Sequence, residues 1–188
     1  GRLHPVLLSF LLGAAGAAAI FVPFLIVDKG FFLYCGDYNE QQIPFYKYVQ
    51  GFLQNFFSAG GGTWSWATDL GGSVVNSYSF YNFGSPFLWI TLLFPNSWMP
   101  FCLKFGCIAA AAALYLSRYA KTRNMTVICA VLYAFCGFNV YNTFFNHMLD
   151  PVVIFPLILW AMDGLMYENK RGWLAVFIGL SLLNSYFF

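Results

Sequence analysis

Long apolar runs broken by short polar stretches dominate the chain. A bilayer-spanning helix needs about 20 consecutive, mostly apolar residues. The first run covers about 5–27 and holds no acidic or basic residue, with His4 just ahead of it. Its centre, Gly13 to Ala19, is all Gly and Ala, small residues that let a second helix approach closely. A signal peptide is the rival reading, but the run is longer than a typical h-region and lacks a clear cleavage context. Further spans are expected at about 98–117, 125–141, 151–167 and 173–188. The apolar piece from Pro86 to Phe94 is too short to cross and reads as a re-entrant or interfacial segment.

The polar positions order these spans. Arg118, Lys121 and Arg123 fall between the second and third runs, and Lys170 and Arg171 between the fourth and fifth. Excess Lys and Arg marks cytoplasmic loops. The N-terminus is then cytoplasmic, and the loops 28–97 and 142–150 are extracytoplasmic. Those outer loops hold Asp28, Asp37, Glu40, Asp69 and Asp150, with only Lys29 and Lys47 as bases. Within the long loop, residues 44–57 place Phe45, Val49, Phe52, Leu53, Phe56 and Phe57 on one helical face, with Lys47, Gln50 and Gln54 elsewhere. Pro44 suits a first helical position. This pattern predicts a helix lying in the membrane interface. From Gly60 to Pro86 the chain reads as an irregular loop rich in Gly, Trp, Tyr and Asn. The expected fold class is therefore an all-α membrane protein. It is a polytopic transmembrane helical bundle with a long first outer loop containing an interfacial helix. A start at Gly1 and an end at Phe188, inside an apolar run, are expected of the N-terminal part of a longer multi-pass domain.

Composition narrows the function classes. Of 188 residues, 60% are hydrophobic, 22% aromatic and 9% charged, against roughly 25% charged in an ordinary soluble domain. A water-soluble globular enzyme and a disordered chain are both excluded. Nine Lys and Arg against seven Asp and Glu leave a net charge of +2, with no basic cluster large enough to track phosphates, so no nucleic acid is expected as a partner. Of the five cysteines, Cys102, Cys107, Cys129 and Cys136 lie in apolar runs and act as small hydrophobes; none has zinc-ligand spacing. Nucleotide-binding and hydrolase motifs are absent from the sequence.

Candidate chemistry gathers on the outer loops. Asp37 and Glu40 suit a site at the outer membrane surface, where a carboxylate takes a proton from a hydroxyl or helps bind a divalent cation. The competing reading is a solvated loop ahead of a helix. Asp150 and His147 form a second cluster. Asp150 followed by Pro151 alternatively reads as the N-cap of the fourth span, and His147 as an ordinary hydrogen-bonded histidine. Trp64, Trp66, Tyr78 and Tyr81 offer ring faces for carbohydrate or lipid headgroups, or form the aromatic belt of any membrane interface. Asp69 is either a third acid or a turn residue. Lys104 sits near the start of the second span and is expected to snorkel or line a cavity, while Asp163 lies near the cytoplasmic end of the fourth.

The order of short motifs carries a resemblance. Gly36-Asp37 with Gln41 and Pro44-Phe45 is followed by Trp64-Ser65, Gly71, Ser85-Pro86-Phe87 and Phe94-Pro95, then Phe138-Asn139, Leu149-Asp150 and Pro156-Leu157. In this the chain resembles the YfhO family of bacterial membrane proteins. The resemblance implies a membrane glycosyltransferase of the GT-C type in the bacterial cell membrane. Its donor would be a sugar on undecaprenyl phosphate, made by a cytosolic-side partner enzyme, and its acceptor a cell-surface polymer such as teichoic acid. By the same resemblance Asp37 is the candidate general base and Asp150 its assistant, through a metal or by positioning substrate. Glu40, Lys47, Trp64, Trp66, Asp69, Tyr78, Tyr81 and His147 are the candidate substrate contacts. Asp37 and Glu40 are not an adjacent acid pair, which leaves a divalent cation open. Two other classes compete: a transporter or flippase of lipid-linked saccharide, and a non-catalytic assembly subunit. The transporter reading requires Lys104 and Asp163 to face a common cavity.

Overall fold

The computed structural model describes residues 3–29, 36–59, 62–68, 70–79, 83–93 and 98–183. Helix α1 (Pro5–Val27) opens on Pro5, with His4 Nδ1 accepting from the Val6 amide at 3.4 Å. A π-helical turn (Tyr38–Gln42) leads into α2 (Ile43–Ala59). Two short strands, β1 (Trp64–Ser65) and β2 (Gly72–Ser73), pair antiparallel and are the only sheet among the described residues. Two short helices follow, α3 (Val74–Tyr78) and α4 (Pro86–Leu93). The bundle continues with α5 (Trp98–Leu116), α6 (Arg123–Ala134), α7 (Gly137–Tyr141), α8 (Leu149–Glu168) and α9 (Gly172–Leu183).

Four stretches are long and apolar enough to cross a bilayer: Pro5–Val27, Met99–Leu116, Arg123–Phe144 and Asn146–Glu168. The apolar helix Gly172–Leu183 is shorter, and residues 184–188 of the fifth expected run lie outside the described residues. With helices throughout and almost no sheet, the chain is an all-α membrane protein. The outward faces of α1, α6 and α9 leave Leu7, Ile20, Ile128, Leu132 and Leu182 bare. Such surface is at home in a solvent of lipid tails.

Close helix packing makes the centre. On α1, Ser9, Gly13, Ala17 and Phe21 recur at helical spacing and are buried against α5. A Cβ on Gly13 would lie 2.7 Å from the Phe105 carbonyl oxygen and 3.0 Å from Ala109 Cβ. Only a residue without a side chain admits this approach. Phe21, Phe101, Phe105 and Leu149 fill the adjoining layer, where Phe21 meets Phe101 edge to face at 4.6 Å.

The third apolar run does not form one regular helix. α6 ends at Ala134, and Asn139 Nδ2 donates to the carbonyls of Tyr133 (2.8 Å) and Ala134 (3.1 Å). The side chain thereby bonds carbonyls of the last helical turn, where intrahelical donors run out.

The two basic loops lie at one end of the bundle. Arg118 reaches Glu168 at 3.2 Å and Asp163 at 3.8 Å, and its guanidinium sits 5.2 Å from the Trp160 ring centre. Arg123 Nε donates to the Leu3 carbonyl at 3.0 Å, so the start of α1 shares that end.

Candidate functional site

At the opposite end, the start of α8 meets the start of α5 and the turn before α2. Lys104 stands about 1.7 turns into α5, at 3.6 residues per turn. It is 0% exposed. Its ammonium Nζ lies 2.5 Å from Asp150 Oδ1, donates to the Asn146 carbonyl at 2.8 Å, and sits 4.9 Å from the Phe87 ring centre. Asp150 is 1% exposed. Taking two such charges out of water costs several kcal/mol each, a cost that their mutual attraction at this separation opposes.

Asp150 is not the cap of α8. The helix begins one residue earlier, at Leu149, and the capping position falls on Met148, with no side-chain cap bond. The carboxylate lies in the first turn, where negative charge is favoured by the helix dipole, and turns inward to Lys104 rather than back to its own amides. Asp150 Oδ2 and Asn146 Oδ1 have no hydrogen-bond partner among the described residues.

The segment after α1 docks on this pair. Gln42 Nε2 and His147 Nδ1 lie 2.8 Å apart, and Asn146 Nδ2 donates to the Tyr46 hydroxyl at 3.3 Å. Burial, reinforced by the negative charge of Asp150, pushes the Tyr46 phenol well above the ordinary tyrosine range. Tyr38 is buried too, with its ring 6.3 Å from Phe101.

Asp37 stands at the head of this docked segment. Gly36 adopts φ +50°, a left-handed conformation that glycine takes at no steric cost. Its carbonyl accepts from the amides of Asn39 (3.0 Å) and Glu40 (3.2 Å), closing the turn. Asp37 is half-buried and makes no side-chain cap bond; Glu40 is exposed. The turn bearing Asp37 and the start of α8 bearing Asp150 therefore meet at the same end of the bundle.

The remaining candidates spread outward. Lys47 is exposed. Tyr78 is half-buried between Phe45 and Tyr48, at ring distances of 5.1 and 5.4 Å. Trp64 and Trp66 meet edge to face at 4.4 Å, and Trp66 is 78% exposed. The hairpin carrying them is tied to α2 by Tyr48 Oη and Thr68 Oγ1, 2.7 Å apart. Asp69 and Tyr81 lie outside the described residues. Among the described residues no three His, Cys, Asp or Glu side chains gather to hold a metal ion. Asp37 and Glu40 alone do not make a ligand set, and no step below is routed through one.

The cluster is richer than the sequence signals for it. Gln42, Tyr46 and Asn146 give no individual sign of function, being common polar residues in a loop. Lys104 is the exception, since an ionisable residue inside an apolar run is a functional signal with a partner to be found. Lys104 and Asp163 do not share a cavity. Asp163 lies thirteen positions after Asp150 along α8, about 20 Å at 1.5 Å per residue. Asp163 instead accepts from the Tyr119 hydroxyl at 2.5 Å, at the basic end. That bond raises the Tyr119 phenol above the ordinary tyrosine range.

Beside the cluster an open apolar groove of about 460 Å³ runs between the end of α6, α7 and the start of α8. Tyr133, Phe138, Met148, Val152 and Phe155 line it.

The sequence matches the family described as bacterial membrane protein YfhO over residues 9–188. No curated protein and no solved structure matches it. The chain belongs to the YfhO family of bacterial membrane proteins.

Proposed function

We propose that the chain is part of a membrane glycosyltransferase of the GT-C type, which moves a sugar from an undecaprenyl-phosphate-linked donor to a cell-surface polymer such as teichoic acid. The observation that carries the reading is the meeting, at one end of an apolar bundle, of the Asp37 turn, the Asp150 loop and an open apolar groove. An isoprenoid carrier suits such a groove. A phosphate-linked sugar brings its own leaving group, so the absence of nucleotide motifs fits the same chemistry.

In this reading Asp37 accepts the proton of the acceptor hydroxyl. The oxygen attacks the anomeric carbon, a new C–O bond forms, and the carbon–oxygen bond to the lipid phosphate breaks with its electron pair leaving on the phosphate. General-base assistance of this kind contributes about 10²–10⁴-fold. Asp150 assists from its ion pair. Lys47 is a cation for the phosphate, and the Trp64–Trp66 pair with Tyr78 offers ring faces to the saccharide. Asp69, Tyr81, Glu40 and His147 complete the proposed contacts. The excess of Lys and Arg in the 117–122 and 169–171 loops favours the basic end as cytoplasmic. The N-terminus is then cytoplasmic, and the cluster faces the extracytoplasmic side.

The deciding experiment places Asp37→Asn in the full-length protein in cells and follows polymer glycosylation at matched membrane abundance. The expected result is a loss of at least 100-fold with accumulation of the lipid-linked donor. Full glycosylation would remove Asp37 as the base and restore the transporter and assembly readings to equal standing.

A further inference from the structure

We propose that Lys104 is a positioning residue: its ion pair with Asp150 anchors the turn at residues 146–148, and that turn seats the segment that presents Asp37. This rests on the reading of Asp37 above for its catalytic meaning, though not for its geometry.

The chain of contacts is continuous. One ammonium group grips both Asp150 Oδ1 and the Asn146 carbonyl, at 2.5 and 2.8 Å. It therefore ties the first turn of α8 to the residues preceding it. From that turn, Asn146 Nδ2 reaches Tyr46 and His147 Nδ1 reaches Gln42. Gln42 closes the π-helical turn whose capping position is Asp37. Tyr38, one residue from Asp37, belongs to the same buried layer as Phe101 and Leu149, the first residue of α8. Every polar side chain along this path is buried.

The burial argues for a specific task. An unneeded lysine in an apolar helix is expensive, and apolar replacement of a buried pair is often neutral or stabilising. What an apolar pair would not supply is a donor to the Asn146 carbonyl. Two hydrogen-bonded links from the 146–148 turn to the loop depend on that turn keeping its shape. Lys104 is wholly enclosed, so it acts through these neighbours and not by touching substrate.

The test reads position 37 directly. In full-length protein carrying Cys35→Ser and Asp37→Cys, labelling by a membrane-impermeant maleimide is timed in intact cells, with Cys35→Ser alone as background. The rate is compared with that of the same protein carrying Lys104→Met and Asp150→Leu together. The pair of substitutions removes both charges, which spares the fold an uncompensated one. A rise of about tenfold in labelling rate, at equal membrane abundance, is expected. A rate within twofold of the parent would overturn the proposal. Should the double variant fail to reach the membrane, Gln42→Leu cuts one link without touching the ion pair. It is expected to raise the rate about threefold, and an unchanged rate there overturns the proposal as well. Faster labelling with undiminished glycosylation by the Lys104/Asp150 double variant carrying native Asp37 would uphold the positioning role and discard the transfer reading built on Asp37.

Discussion

Lys104 and Asp150 stand 46 positions apart in sequence and at bonding distance in space. Removing one partner leaves the other charged in a site closed to water. Lys104→Met alone, or Asp150→Leu alone, is therefore expected to lower stability by about 3–5 kcal/mol. The two together should cost less, about 1–3 kcal/mol, because no charge is then stranded and only the Asn146 carbonyl loses its donor. Thermal unfolding in detergent of the four proteins, read as a double-mutant cycle, checks this. Equal losses in the single and double variants would mean that the packing of the two stems matters more than their charges. Tyr46→Phe is a milder change. It strands Asn146 Nδ2 without its acceptor at a buried position and is expected to cost about 1–3 kcal/mol in the same assay. At this scale the sequence marks Asp150, because an acid before Pro151 stands out. It does not show whether the carboxylate turns back to cap its own helix or inward to Lys104, since both uses leave the same residues in the same order.

Elements were more legible than side chains. The Gly and Ala face of α1 announced a close partner, and α5 is that partner. Gly13→Leu is expected to destabilise the bundle by roughly 1–3 kcal/mol through overpacking against Phe105 and Ala109. Ala15→Leu, on the exposed face of the same helix, should be nearly neutral. Melting temperatures of the two variants in detergent separate these outcomes, and equal shifts would contradict the packing argument. The amphipathic helix α2 was legible as a helix, and its protein-facing stripe in part. The expected face ran through Phe45, Val49, Phe52, Leu53, Phe56 and Phe57. Of these Val49 and Leu53 are buried, in line with Gln42 and Tyr46, which the apolar pattern did not mark, while Phe56 is exposed. A helix between a polar cluster and an apolar surface has two faces to satisfy. Hydropathy reports only the apolar one, and here Gln42 and Tyr46 are buried for their hydrogen bonds.

On the scale of the whole molecule, charge separates into two kinds. The basic end keeps its ions at the surface, as with Lys170 and Glu168 at 2.6 Å and both well exposed. Exposed pairs contribute little to stability, and the proposed significance of that end is topological. In a Cys35→Ser background, and with the basic end cytoplasmic, a cysteine at position 47 should react with an impermeant maleimide in intact cells. A cysteine at position 121 should react only after permeabilisation. Both lysines that these replace are exposed. The reverse pattern would invert the proposed orientation and put the polar cluster on the cytoplasmic side.

Hydropathy and composition by themselves determined that this chain is a helical membrane protein, because a bilayer demands about 20 apolar residues and internal backbone bonding wherever the chain crosses. The spacing of Lys and Arg further determined that two loops should share one end, and the order of short motifs pointed to the family. Only the tertiary structure decided which polar residues belong together. Hydrogen bonds and ion pairs are short-ranged and indifferent to sequence separation. Gln42, Tyr46, Lys104, Asn146 and Asp150 become one cluster only when three helix starts converge on the same few ångströms.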